Sequence, residues 1–379
     1  MNTVKEKVVN NKIIDAKLSK EITLEEKYDR KNNIFDYIRI LLAIFVIVAH
    51  SYPIFFGVGA SDIITSKLLR TESLGGIAVI GFFILSGFMI TQSILHCKSM
   101  KEFMLKRVIR VFPALIVMLL LTIFVLGPMV YDGNIADYFK NPSVWKYLGQ
   151  NINLFGNTAY TIDGVFTINP YPGAINGSLW SLKHEFILYI VLMVLSMCAV
   201  LKNRKTMLGF TIVSIITYVL NIQLTPIFNH LTYIGVIMEI NQFVKLTMYF
   251  LIGSSIYLYR DKIKMNFQYF MLAVIILLAG ITLNATKYAL IITMPYIIMY
   301  IGTFKFKKNI LGKIGDFSYG LYIYAFPIQQ LLVFYFKDNL SIWTYMLSAI
   351  ILTSIFAIIS TCLIDNNTKK IKDKISSRT

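Results

Sequence analysis

Between Phe35 and Ile364 the sequence is a succession of apolar runs, broken by short polar stretches that are rich and poor in Lys and Arg by turns. A window of about 20 apolar residues spans a bilayer core, and lipid requires each span to satisfy its own backbone groups. The expected fold is therefore an all-α integral membrane protein. We read ten spans, at about 35–56, 76–96, 111–131, 182–201, 207–224, 243–260, 267–284, 287–304, 317–336 and 342–364. Charged residues make up 15% of the chain, against about a quarter in a soluble domain.

The charge pattern orients the bundle. Cations crowd the N-terminal tail, then Lys98 to Arg110, Lys202 to Lys205, Arg260 to Lys264, Lys305 to Lys313, and the tail from Lys369 to Arg378. The intervening loops hold few: Lys67 and Arg70; Lys140, Lys146 and Lys183; Lys287; Lys337. By the positive-inside rule both termini lie in the cytoplasm. Three parts follow: a polar cytoplasmic tail at 1–33, a transmembrane domain at 34–366 with a long outer loop at 131–181, and a basic cytoplasmic tail at 367–379. The first thirty residues lack the apolar stretch of a secretory signal peptide.

The net charge of +17 is accounted for by these loops, so no nucleic-acid partner is expected. Cys97, Cys198 and Cys362 are far apart in sequence, and no metal site is expected.

Ionisable residues inside the apolar runs mark candidate chemistry. Arg39 and His50, in FDYIRILLAIFVIVAH, are eleven positions apart. At about 100° per residue they share one helix face, separated by about 16 Å along the axis. Ser86-Gly87 in the second span suits close helix packing. Arg107 and Arg110, three apart in KRVIRVFP, share a face and suit either a positive-inside signal or a phosphate clamp. In SLWSLKHEF, Glu185 lies at a depth comparable to that of His50 and is expected to partner it, whereas His184 points elsewhere. Trp180 fits an outer aromatic belt. The Asn176-Gly177-Ser178 sequon is read as chance.

Taken together, these segments resemble the acyltransferase-3 family of bacterial membrane O-acyltransferases. FDYIRILLAIFVIVAH resembles its Arg, ten residues, His pattern. GFFILSGFMI, KRVIRVFP, NGSLWSLKHEF and GDFSYGLYIYAFP resemble its later motifs, in order. Two departures stand out: Ala325 replaces a histidine of many members, and LIDNN at Asp365 lacks their Glu-x-Pro. The resemblance implies transfer of an acyl group, most often acetyl, from cytoplasmic acyl-CoA to a hydroxyl of a surface glycan or lipid-linked glycan, in the bacterial cytoplasmic membrane.

On that reading acetyl-CoA is a co-substrate, held by Arg39, Arg107 and Arg110, with Ser86 as a candidate for positioning the thioester. His50 acts as general base or carries the acyl group covalently, and both roles fit. Glu185 orients or stabilises His50, and Asn176 and Trp180 contact the acceptor. A transporter or flippase of a glycan or its lipid-linked precursor is the alternative.

Overall fold

The structure, a computed structural model, describes residues 22–69, 71–228, 234–305 and 315–378; for 221–228, 234–238 and 365–378 the description covers the backbone course alone. Most of the N-terminal tail, Arg70, Lys307, Lys308 and Lys313 lie outside the described residues, as do the side chains of Asp365 and the basic tail.

Every expected window falls on a helix. We label them α1 (Phe35–Phe56), α2 (Leu74–His96), α3 (Met100–Leu121), α4 (Trp180–Met197), α5 (Arg204–Phe228), α6 (Ile234–Leu258), α7 (Phe267–Thr282), α8 (Thr286–Gly302), α9 (Ser318–Phe336) and α10 (Ile342–Arg378). Among the described residues there is no extended sheet, only isolated β-bridges. Among the described residues five stretches are long and apolar enough to cross a membrane: Phe35–Phe56, Leu74–His96, Met100–Val130, Gly177–Met197 and Ile342–Ile364. Two shorter apolar helices, α7 and α8, accompany them. This is a multi-pass membrane protein.

The helix ends follow caps rather than hydropathy. α3 begins at Met100, well before its apolar window, because the Ser99 hydroxyl accepts the Glu102 amide at 3.1 Å. Arg107 and Arg110 therefore sit inside a helix and not at its start. Gly57 ends α1 with a φ of 114°, a backbone region that disfavours side chains.

The centre of the bundle is the contact of α2 with α6, and glycine makes it possible. A Cβ on Gly87 would lie 1.9 Å from the Phe250 carbonyl oxygen, and one on Gly253 would lie 2.1 Å from that of Ile84. The two backbones touch there, and Ser254 Oγ donates to the Gly87 carbonyl at 3.3 Å. Close approach through small residues is a general device of membrane helices, and it confirms the packing role expected of Gly87.

Among the described residues, the cation-bearing segments at 22–28, 204 and 260–265 meet one another. Residues 22–28 are not a loose extension: the Leu24 amide bonds the Ile263 carbonyl at 2.7 Å, the Met265 amide bonds that of Ile22 at 2.8 Å, and Leu24 is fully buried. Arg260 pairs with Glu25 at 2.9 Å and Arg204 with Asp261 at 2.6 Å. The Ile34 amide reaches the Gly302 carbonyl at 3.1 Å.

The long loop has structure of its own, with short helices at Ile135–Lys140 and Pro142–Ile152. Its aromatic content accounts for this: Tyr138 and Tyr147 are fully buried in the core. Buried Gln330 on α9 ties it down. The Gln330 amide donates to the carbonyls of Tyr171 (2.9 Å) and Ala174 (2.6 Å), and its carbonyl oxygen accepts from Asn169 at 2.7 Å.

Candidate active site

Two cavities follow one another along α1. The inner one is lined by Arg39, Ser86, Arg107, Arg110, Glu185 and Tyr319, among others, and encloses about 90 Å³. The outer one includes His50, Asp62, Glu72, Trp180, Gln242 and Lys245 in its lining and encloses about 330 Å³. Val79 and Tyr322 line both, so the cavities abut across these two side chains. Arg39 and His50 thus open onto successive chambers along one helix.

At the inner end, a residue to which the sequence reading gave no role fixes the arginines. Asp316 Oδ2 accepts from Arg39 Nη1 at 2.9 Å and from Arg110 Nη2 at 2.5 Å. Its other oxygen accepts the amide of Ser318, the first residue of α9, at 3.0 Å. Arg39 also pairs with Asp36 at 3.2 Å. Asp316 lies within the GDFSYG segment, but nothing in that segment alone tells which cations an aspartate will meet 277 and 206 positions away.

Arg107 differs from its two neighbours. Among the described residues it forms no ion pair, its Nε has no hydrogen-bond partner, and Nη2 makes one long contact of 3.4 Å with Ser93 Oγ. Its guanidinium stands 5.9 Å from the ring centres of Phe103 and Tyr189. A shielded cation with spare donors is suited to an anionic ligand.

Glu185 does not partner His50, which corrects the expected pairing. Its Oε1 accepts from Ser86 Oγ at 3.1 Å and from Tyr189 Oη at 2.5 Å, all within the inner chamber. Comparable depth on two helices did not bring the groups together, because Glu185 faces α2 and its own next turn. Tyr189, one turn on from Glu185, was not singled out in the sequence, although its i, i+4 spacing was the available signal. Ser86 holds Glu185 as well as lining the chamber.

His50 packs edge-on against Phe326, with ring centres 5.2 Å apart, and its Nδ1 is shielded without a hydrogen-bond partner. Ala325 beside that ring is fully buried.

Asn176 is corrected from acceptor contact to internal brace. It is fully buried; its amide donates to the Ile323 carbonyl at 2.8 Å and its oxygen accepts the Ser178 amide at 3.1 Å. Trp180 does reach the outer cavity. His184 supports it: Nδ1 is 2.7 Å from the Trp180 carbonyl oxygen, and its ring stands between Trp180 and Phe243. Among the described residues no group of three or more His, Cys, Asp or Glu could hold a metal ion.

This arrangement joins arginines and a histidine across a membrane bundle, and comparisons with known proteins agree with it. The sequence model of the acyltransferase domain matches residues 32–364, and the chain belongs to that acyltransferase-3 family. It is similar to an O-acetyl transferase of Shigella phage Sf6, 32% identical over 321 residues, which cover 80% of this chain and 86% of the relative. It is also similar to nodulation protein 10 of Rhizobium leguminosarum bv. viciae, 29% identical over 174 residues, covering 44% and 45% of the two chains. No solved structure matches significantly. The protein is therefore an acyltransferase, and the transporter reading gives way.

Proposed function

We propose that this protein moves an acetyl group from cytoplasmic acetyl-CoA to a hydroxyl of an extracytoplasmic glycan, across the cytoplasmic membrane of a bacterium. The observation that carries the reading is the pair of abutting chambers, one with an underused arginine and the other with an unpartnered histidine. The relative named as an O-acetyl transferase supports acetyl as the group moved. Tyr28 bonds Gln92 one residue from the Ser93 contact of Arg107, so the cation-bearing contacts of Arg204 and Arg260 around residues 22–28 lie toward the Arg107 end, which supports a cytoplasmic donor side; with it goes our reading of ten spans and cytoplasmic termini.

Arg107 would take a phosphate of the donor, while Arg39 and Arg110, already paired with Asp316, hold the chamber in shape. The inner chamber of about 90 Å³ is far below the roughly 300 Å³ of an ordinary ligand pocket. It suits a slim pantetheine arm and leaves the nucleotide at the cytoplasmic rim. Val79 and Tyr322 then stand where the thioester would pass toward His50.

His50 acts as general base. A ring nitrogen removes the proton of the acceptor hydroxyl as its oxygen bonds to the acetyl carbonyl carbon. The carbon–sulfur bond breaks, and the thiolate leaves with that proton, which returns His50 to neutrality. Glu185 acts one chamber away, fixing Ser86 and Tyr189 along the donor path. The test supplies radiolabelled acetyl-CoA and a glycan to the purified protein: label on the glycan supports the reading, and consumption of acetyl-CoA without glycan label opposes it.

A further inference from the structure

The outer cavity does not end at Trp180. A second cavity of about 370 Å³ lies beyond it, lined in part by Asn157, Thr158 and Tyr160 of the long loop. Trp180 and Gln242 line this cavity and the His50 cavity alike, so the two form one cleft with Trp180 at its waist. The Trp180 ring is half-buried and held from behind by His184, itself against Phe243. That is a fixed aromatic platform, and a pyranose ring offers an apolar C–H face to such a surface.

The lysines of the cleft are spent on acids. Lys245 pairs with Glu72 at 2.6 Å beside His50, and Lys183 pairs with Glu239 in the far cavity. Asp62 adds a carboxylate bonded by the Thr65 amide and hydroxyl. Among the described residues the cleft thus offers a polyanion no unpaired lysine, and offers neutral hydroxyls many acceptors and donors.

We infer that the far cavity is a second sugar subsite, so that the acceptor is a neutral oligosaccharide or polymer segment lying across Trp180 and not a single sugar. This rests on the glycan-acceptor reading above. Asn157 and Tyr160 are exposed side chains outside the His50 cavity, so changing them leaves the chemistry in place.

The test measures acetyl transfer from radiolabelled acetyl-CoA to de-O-acetylated surface glycan of the native host, supplied as single sugars and as longer fragments, by the intact protein in nanodiscs. The expected kcat/KM for neutral fragments exceeds that for the single sugar by about tenfold, the factor that about 1.4 kcal/mol of added contact yields. Asn157→Ala with Tyr160→Ala removes that advantage and leaves single-sugar transfer unchanged. Equal rates for fragments and single sugars, or an equal loss on both, overturns the second subsite, a preference for uronate-bearing fragments overturns the neutral acceptor, and each leaves glycan acetylation standing. Absence of transfer to every glycan overturns both.

Discussion

The three inner arginines are not equivalent, and separating them tests the donor side. Arg107→Ala removes a guanidinium that, among the described residues, pairs with no acid, whose Nε is unbonded and whose contact with Ser93 is 3.4 Å long. Little stability depends on it, because deleting a half-buried charge that holds no acid leaves no opposite charge stranded. What is lost is a charge-assisted bond to a phosphate, about 1.5–3 kcal/mol, which corresponds to roughly 10- to 150-fold in acetyl-CoA affinity. Arg110→Ala strips a 2.5 Å bond from Asp316 and leaves that carboxylate to Arg39. Its cost of about 1.5–3 kcal/mol falls on stability. Equilibrium binding of tritiated acetyl-CoA to each purified variant, with a thermal unfolding midpoint for the same sample, distinguishes the two. Arg107→Ala binding within twofold of the parent, or Arg110→Ala unfolding at the parental midpoint with weakened binding, would refute the division of labour.

Other consequences are equally direct. Asp316→Asn keeps an acceptor for the Ser318 amide but uncharges the hub of two arginines. It is expected to lower stability by about 3 kcal/mol, the lower end for a buried pair that loses one partner, and an unchanged unfolding midpoint would contradict the hub. Gly87→Ala drives a methyl into the Phe250 carbonyl and is expected to destabilise by about 1–3 kcal/mol or more; normal yield and melting of the folded protein would contradict the α2–α6 contact. Leu24→Ala, in a segment that reads as polar tail, is expected to cost about 2–5 kcal/mol because Leu24 is fully buried; proteolysis rates under native conditions report it.

Helix positions were legible because hydropathy and the alternation of cations are local properties. The shared lengthwise face of Arg39 and His50 was legible because α1 is continuous from Phe35 to Phe56. Partnerships across helices were not. Glu185 turned to Ser86 and Tyr189, Asp316 collected arginines from α1 and α3, and Asn176 turned inward to α9. Each outcome depends on how one helix rotates against another, and the period of a single helix leaves that rotation open. The long loop showed the same limit: its aromatics argued for order, but its anchorage on Gln330 needed the fold.

Transfer through His50 is tested most directly by His50→Ala in proteoliposomes, with radiolabelled acetyl-CoA outside or inside and the glycan acceptor on the opposite face. Loss of a general base is expected to lower the transfer rate by about 10²- to 10⁴-fold while acetyl-CoA binding and the unfolding midpoint stay at parental values. Transfer at near-parental rate by the correctly folded variant would contradict the assignment of His50.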